Sequence, residues 1–267
     1  MQQSRNVHAT PDPEPSLERP LSARSVMASL LLGRRVPQAP VADLVRWCEL
    51  FGITEGTGRV ALHRMAAKGE IVATDGVYRL AGRLAGRQVR QETSLVPRVR
   101  PWTGDWRVAV VAATRRDAPT RAALRDAMRR LHFAERREGF WLRPDNLELE
   151  LPDTVQQQCE WFLAQPDDDP IALADRLFGP AEWARRAETL TARLAATTEQ
   201  LGPDTDGVAE AFLAGAAALR HIGGDPLLPP TLLPADWPGD ELRAAYSHYR
   251  RAFDATARAW FRASPAG

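Results

Sequence analysis

The sequence predicts a multidomain α+β chain. Its first ninety or so residues combine helical apolar periodicity with a hairpin step. Its middle alternates strand-like runs with a helix, and its last third repeats apolar residues every three or four positions. At 267 residues the chain is long enough for several cores.

Residues 1–19, with Pro11, Pro13 and Pro15 among Asp, Glu and Ser, lack periodicity and predict a disordered tail. A winged helix-turn-helix is then expected over 20–90. Ser22 reads as the N-cap of a first helix that stops at Gly33. After Pro37 and Pro40, Val41, Leu44, Val45 and Cys48 fall at i, i+3, i+4 and i+7, a single apolar stripe that makes Cys48 a core residue. Phe51-Gly52-Ile53 is the turn. Thr54 then caps a third helix, with Glu55 favourable near its positive end. Gly58, Ala61, Leu62 and Met65 share that helix's inner face, leaving Gly56, Arg59, Val60, His63, Arg64 and Ala67 on or beside the opposite one. Gly69 ends it, and the Asp75-Gly76 step between Glu70–Ala73 and Val77–Leu80 signals a hairpin.

Such a helix, small at its start and basic beyond, suits the major groove. Arg59 or Arg64 is placed to read guanine, Val60 a thymine methyl, and Thr57 a phosphate. The candidate DNA-contacting set is Thr54, Thr57, Arg59, Val60, His63, Arg64 and Lys68 from the helix region, Asp75, Gly76, Tyr78 and Arg79 from the wing, and Arg83 beyond it. Arg83, Arg87 and Arg90 follow at helical spacing, as a backbone contact or as a solvated face.

Charge supports a local nucleic-acid partner. Residues 20–90 hold eleven Lys/Arg and five Asp/Glu, while 91–267 hold 22 and 26, although the whole chain is only +1. Cys48 and Cys159 form no Cys-x-x-Cys pair, and no apolar run is long enough to span a bilayer. A cytoplasmic location without membrane attachment is the expectation.

After a linker over 91–101, a middle domain is expected over 102–170. Asp105 to Ala113 is strand-like. Thr120 to Leu131 is a helix with Leu124, Ala127, Met128 and Leu131 inward. Gly139 to Arg143 is a second strand, and the Leu147, Leu149, Leu151 alternation predicts a third. A helix around Thr154–Leu163, containing Cys159, completes a ferredoxin-like plan. Asp167-Asp168-Asp169, between prolines, reads as a solvated loop without the further ligands a metal site needs.

Residues 171–267 are expected to be helical. Trp183 to Leu201, Val208 to Ile222 and Leu242 to Trp260 each step by three and four, as in a bundle or a dimer seam. Between the last two lies the proline-rich stretch from Asp225 to Gly239. Aromatic density suggests an effector pocket between middle and C-terminal domains, with Trp106, Arg121, Arg125, Trp141, Trp183 and Trp237 as its candidate residues.

Three stretches carry a family resemblance: Phe51–Met65; Trp102-Thr103-Gly104-Asp105-Trp106 with Gly139–Pro144; and Asp225-Pro226-Leu227-Leu228-Pro229 with Leu232–Gly239. In these the chain resembles the PaaX family of bacterial transcriptional regulators. The resemblance implies a Cas2-like middle domain and a helical C-terminal domain for effector binding and dimerisation. It also implies a homodimer on double-stranded operator DNA that usually represses, with release by a small molecule such as the aryl-CoA thioester phenylacetyl-CoA. Gly58 stands where a larger apolar residue is expected, and His63 where a serine is usual.

Two alternative readings compete: a Cas2-like nuclease or CoA-thioester hydrolase, and a protein-interaction adaptor that never touches DNA. Asp105 is the only strand-end carboxylate a nuclease would use. The five histidines are scattered, and no Gly-x-Ser-x-Gly elbow exists. Neither a catalytic residue, nor a metal site, nor a cofactor is expected.

Overall fold

The computed structural model describes residues 21–34, 36–112, 116–202 and 207–263; the predicted tail 1–19 lies outside them, as does Ala113. The described chain forms two compact units. The first draws on Met1–Gln91, Leu190–Arg220 and Ala244–Gly267, and the second on Glu92–Thr189 and His221–Arg243.

In the first unit, α1 (Ala23–Gly33) begins where Ser22 accepts a hydrogen bond from the Ser25 amide. It is followed by β1 (Gln38–Pro40), α2 (Val41–Glu49) and α3 (Glu55–Ala67). The chain then forms β2 (Ile71–Thr74) and β3 (Val77–Leu80). These strands make a three-stranded antiparallel sheet, ordered β1-β3-β2. The core joins Val26, Met27 and Leu31 of α1, Leu44, Val45 and Cys48 of α2, and Leu62 and Met65 of α3, all nearly inaccessible. Each large aliphatic group buried there contributes about 1.5–3 kcal/mol. Burial also pushes the Cys48 thiol up to about 11, consistent with a packing role.

Gly82, with φ +48, opens α4 (Gly82–Leu95). A Cβ there would lie 2.7 Å from the Gly69 carbonyl oxygen, so the position requires glycine. The predicted helical spacing of Arg83, Arg87 and Arg90 is real, and the helix continues to Leu95.

Residues of α8 (Pro180–Glu199), α9 (Val208–Ile222) and α10 (Gly239–Ala263) complete this unit. Trp47 of α2 packs edge-on to Phe253 and Trp260 of α10, with centroids at 5.5 and 5.9 Å. Phe51 meets Phe212 of α9 at 5.1 Å. Stripe residues of α9 and α10 such as Phe212, Tyr249 and Phe253 are therefore buried within the chain.

The second unit contains β4 (Trp106–Val111), α5 (Ala118–Arg130), β5 (Ala134–Arg137), β6 (Phe140–Pro144), α6 (Asp153–Gln156) and β7 (Cys159–Ala164). The sheet order β5-β6-β4-β7, entirely antiparallel, is that of a ferredoxin-like fold. One face carries Ala109, Trp141 and Cys159 under Leu124 and Met128 of α5. The opposite face carries Trp106, Val108 and Leu142. It is covered by α7 (Pro170–Phe178) and by Leu228 and Leu232, the latter in a 3-10 turn at Pro230–Leu232.

Two expectations fail here. The helix predicted over Thr154–Leu163 is a four-residue helix followed by strand β7. Register-matched pairing of Cys159–Ala164 with Trp106–Val111 overrides the helical propensity of that segment. Cys159 is thus a strand residue. The strand predicted from Leu147, Leu149 and Leu151 reduces to an isolated bridge between Leu147 and Val99, because β7 occupies the edge of β4. The Asp167–Asp169 run also has work to do. Asp169 caps α7 through the Ala172 amide, and Asp168 pairs with Arg136 and Arg176.

Candidate nucleic-acid interface

Helix α3 starts because Thr54 is extended and its hydroxyl accepts from the Thr57 amide at 3.4 Å. Its inner face is fixed by Gly58, Leu62 and Met65. A Cβ on Gly58 would sit 3.4 Å from Met27 Cε and 3.7 Å from Val45 Cγ1, so this small residue lets α3 approach α1 and α2 closely. The remaining face is open. Thr57, Arg59, Val60, His63, Arg64, Ala67 and Lys68 are all exposed, and Val60 is 50% exposed despite being apolar.

The cations of this face differ in their engagement. Arg59 is held along the helix by Glu55 at 2.7 Å, in the favourable i, i+4 order. The Arg64 side chain, about one turn on, has no hydrogen bond or ion pair among the described residues. The wing follows directly. Asp75 and Gly76, at φ 50 and 74, form a two-residue turn with both φ positive, the type I′ pattern that matches strand twist. Asp75, Gly76 and Arg79 are exposed and Tyr78 is half-buried. Strand β1, which the sequence did not reveal, pairs Gln38 with Arg79 and Ala39 with Tyr78 and so stiffens the wing from behind.

Between helix and wing sits a buried carboxylate. Glu70 accepts two hydrogen bonds from Arg24 of α1, Nε at 2.8 Å and Nη2 at 2.7 Å. That pairing holds its carboxyl below the ordinary range against the opposing effect of burial. Arg83, 88% exposed, lies 3.8 Å from the same carboxylate. The backbone of Glu70 also ties α3 to α4, donating to the Met65 carbonyl and accepting from Ala81. The ion pair therefore ties α1 to the junction between α3 and the wing. A partner 46 residues away leaves no signature in local sequence.

The six residues predicted for an effector pocket do not converge. Trp106 and Trp141 lie in cores on opposite faces of the sheet. Arg125 pairs with Glu135, and exposed Arg121 bonds to the Arg116 carbonyl. Trp183 and Trp237 do meet, stacked at 4.6 Å, with His221 stacked on Trp183 at 4.5 Å. Asp105 spends its carboxylate on Gln165 at 2.9 Å and Thr103 at 3.4 Å. Among the described residues no group of three or more His, Cys, Asp or Glu is arranged to hold a metal ion, and no helix is long and apolar enough to cross a membrane.

The second and third of the sequence stretches that carried the family resemblance meet through Arg143. This side chain is completely buried. It donates to the carbonyls of Pro144 (3.0 Å), His132 (3.1 Å) and Leu227 (3.1 Å) and to Asn146 Oδ1 (2.9 Å). Asp225 accepts from the Leu227 amide and pairs with Arg243 at 2.6 Å. Burial pulls the Arg143 guanidinium down to about 9. The proline-rich stretch is thus pinned to β6 by one arginine.

An exposed basic helix beside a type I′ wing, followed by a ferredoxin-like sheet and long helices, defines a multidomain winged-helix protein of the regulator class. The family model for a PaaX-like protein matches residues 22–84, that for the PaaX protein central Cas2-like domain matches 99–159, and that for the PaaX-like protein C-terminal domain matches 180–263. The chain belongs to the PaaX-like family. It is also similar to an uncharacterized protein, Rv0674, from Mycobacterium tuberculosis, with 41% identity, a TM-score of 0.72, and 92% of this chain and 99% of that one covered. No curated protein matches it.

Proposed function

We propose that this PaaX-like regulator is a homodimeric repressor that binds double-stranded operator DNA and is released by a small-molecule effector. The exposed, cation-bearing face of α3 beside the wing carries this reading. Arg64 and Arg59 read base edges from α3, and Thr57, Lys68, Arg79 and Arg83 meet phosphates. A two-fold dimer places two such helices in successive major grooves, about 34–36 Å apart. The effector acts by linkage, favouring a geometry that cannot span both half-sites. The aryl-CoA thioester that the family resemblance implies is the first candidate.

The test is binding to the DNA upstream of the protein's own gene, compared with random DNA, across a salt series. The expected outcome is preference for the upstream site together with a steep fall in affinity as salt rises. Equal affinity for both DNAs would remove the proposal and favour the protein-adaptor alternative.

A further inference from the structure

The first unit contains a cavity of about 190 Å³ between α1 and α4 on one side and α9 and α10 on the other. An apolar cavity of about 150 Å³ holds a benzene ring. This one therefore has room for a single ring with a small polar group, and is smaller than the roughly 300–1,000 Å³ usual for drug-sized ligands.

The lining combines two chemistries. One wall is aromatic: Phe212, Tyr246, Tyr249 and Phe253, in a chain of tilted contacts with centroids 5.4 to 6.2 Å apart. The other groups are cationic in excess. Arg24, Arg87, Arg220 and Arg250 face a single lining carboxylate, Asp254. Arg24 is already committed to Glu70, whereas half-buried Arg220 has no partner among the described residues. Gln91 also lines the cavity, and its buried side-chain carbonyl Oε1 has no hydrogen-bond partner among the described residues. A half-buried guanidinium asks for an anion, a buried orphan carbonyl asks for a donor, and an aromatic wall asks for a ring.

We propose that this cavity binds a small hydroxylated aromatic carboxylate, its ring against Phe212 and Phe253, its carboxylate on Arg220 and its hydroxyl donating to Gln91. The site is distinct from the six residues predicted from sequence. Ligand binding itself does not depend on DNA recognition; its consequence for DNA rests on the regulator reading. Arg24 reaches both the cavity and Glu70. Through Arg24, occupancy of the cavity is coupled to the Arg24–Glu70 pair beside α3.

The experiment is calorimetric titration of the full-length protein, without DNA, using 4-hydroxybenzoate, its neutral isostere 4-hydroxybenzamide, and coenzyme A. The carboxylate is expected to bind once per chain and the amide at least about tenfold more weakly. Arg220→Ala should weaken the carboxylate by about tenfold, with partial recovery in Arg220→Lys. Ala216→Phe, which fills the cavity from α9, should abolish binding, and Arg121→Ala should leave it unchanged. The proposal is overturned by no binding at millimolar carboxylate, by equal affinity for acid and amide, by displacement with coenzyme A, or by wild-type affinity in both Arg220→Ala and Ala216→Phe. Because no DNA is present, such a failure leaves the operator proposal standing, and loss of operator preference leaves this one standing.

Discussion

Arginine is used in opposite ways in the two units. On α3, the Arg64 side chain stands in solvent with no partner among the described residues, and Arg59 is restrained by an exposed glutamate. At β6, Arg143 is sealed from water and its nitrogens are met by carbonyl oxygens and one amide. A free guanidinium at a surface costs the fold almost nothing and keeps its hydrogen-bonding capacity for a ligand. A buried one persists only where acceptors are built around it, so it becomes a fastener. Exposure and satisfaction, not residue type, separate the arginine open to a ligand from the structural one.

The contrast can be broken by substitution. Arg143→Met should leave several buried acceptors unpaired and cost about 3 kcal/mol or more, seen as a large drop in melting temperature. A variant melting like the wild type would show that the network is dispensable. Arg64→Ala should do the reverse, with an unchanged melting temperature and an operator affinity lower by about 1–3 kcal/mol. Unchanged affinity would take Arg64 out of the interface.

Next in size is a pH effect in the second unit. His132 Nδ1–H donates to the Asp225 carbonyl oxygen, 2.9 Å away. Burial, and then the Arg143 charge, pull its imidazole down to about 4. Since the folded value lies below the unfolded one, this stability is fully present above about pH 6.5 and is lost as pH falls toward 4. Between pH 7.5 and 5 the protein should lose about 2 kcal/mol from this group, and His132→Asn, which accommodates the positive φ of 60 at this position, should show a flatter acid limb. Parallel acid limbs would place the acid sensitivity elsewhere. The smallest expected effect is at Gly58. Alanine makes ordinary contact with Met27 and improves helix propensity, so Gly58→Ala should gain about 0.5–1 kcal/mol in chemical denaturation, whereas Gly58→Leu should destabilise. A loss in Gly58→Ala would mean that the α3–α1 approach is tighter than 3.4 Å suggests.

Periodic features were legible from sequence alone. Thr54, the Leu62/Met65 stripe and the Asp75-Gly76 turn are local signals with local causes, and each lies where spacing placed it. What failed was set by distant partners. Cys159–Ala164 is a strand because β4 offers an edge to pair with, and with that edge taken by β7 the Leu147–Leu151 segment makes only an isolated bridge to Val99. β1 was hidden because three residues ending in proline carry no period. The predicted effector tryptophans were chosen for aromaticity, but Trp106 and Trp141 point to opposite faces of one sheet, because Trp141 pairs with Ala109, three positions along β4 from Trp106. Arg24–Glu70 and Arg143–Leu227 span 46 and 84 residues, beyond any pattern within one element.

The order in which the backbone visits the two units has a practical consequence. It changes unit after Gln91, Thr189, Arg220 and Arg243, so neither unit is a continuous piece of chain. A fragment ending at Arg243 keeps the winged helix but removes the α10 rings that cover Trp47, and one ending before His221 removes the segment that Arg143 fastens. No contiguous fragment can be excised, grafted or shuffled as a complete unit, so the winged helix and its helical support have to be inherited, expressed and engineered as one length of chain.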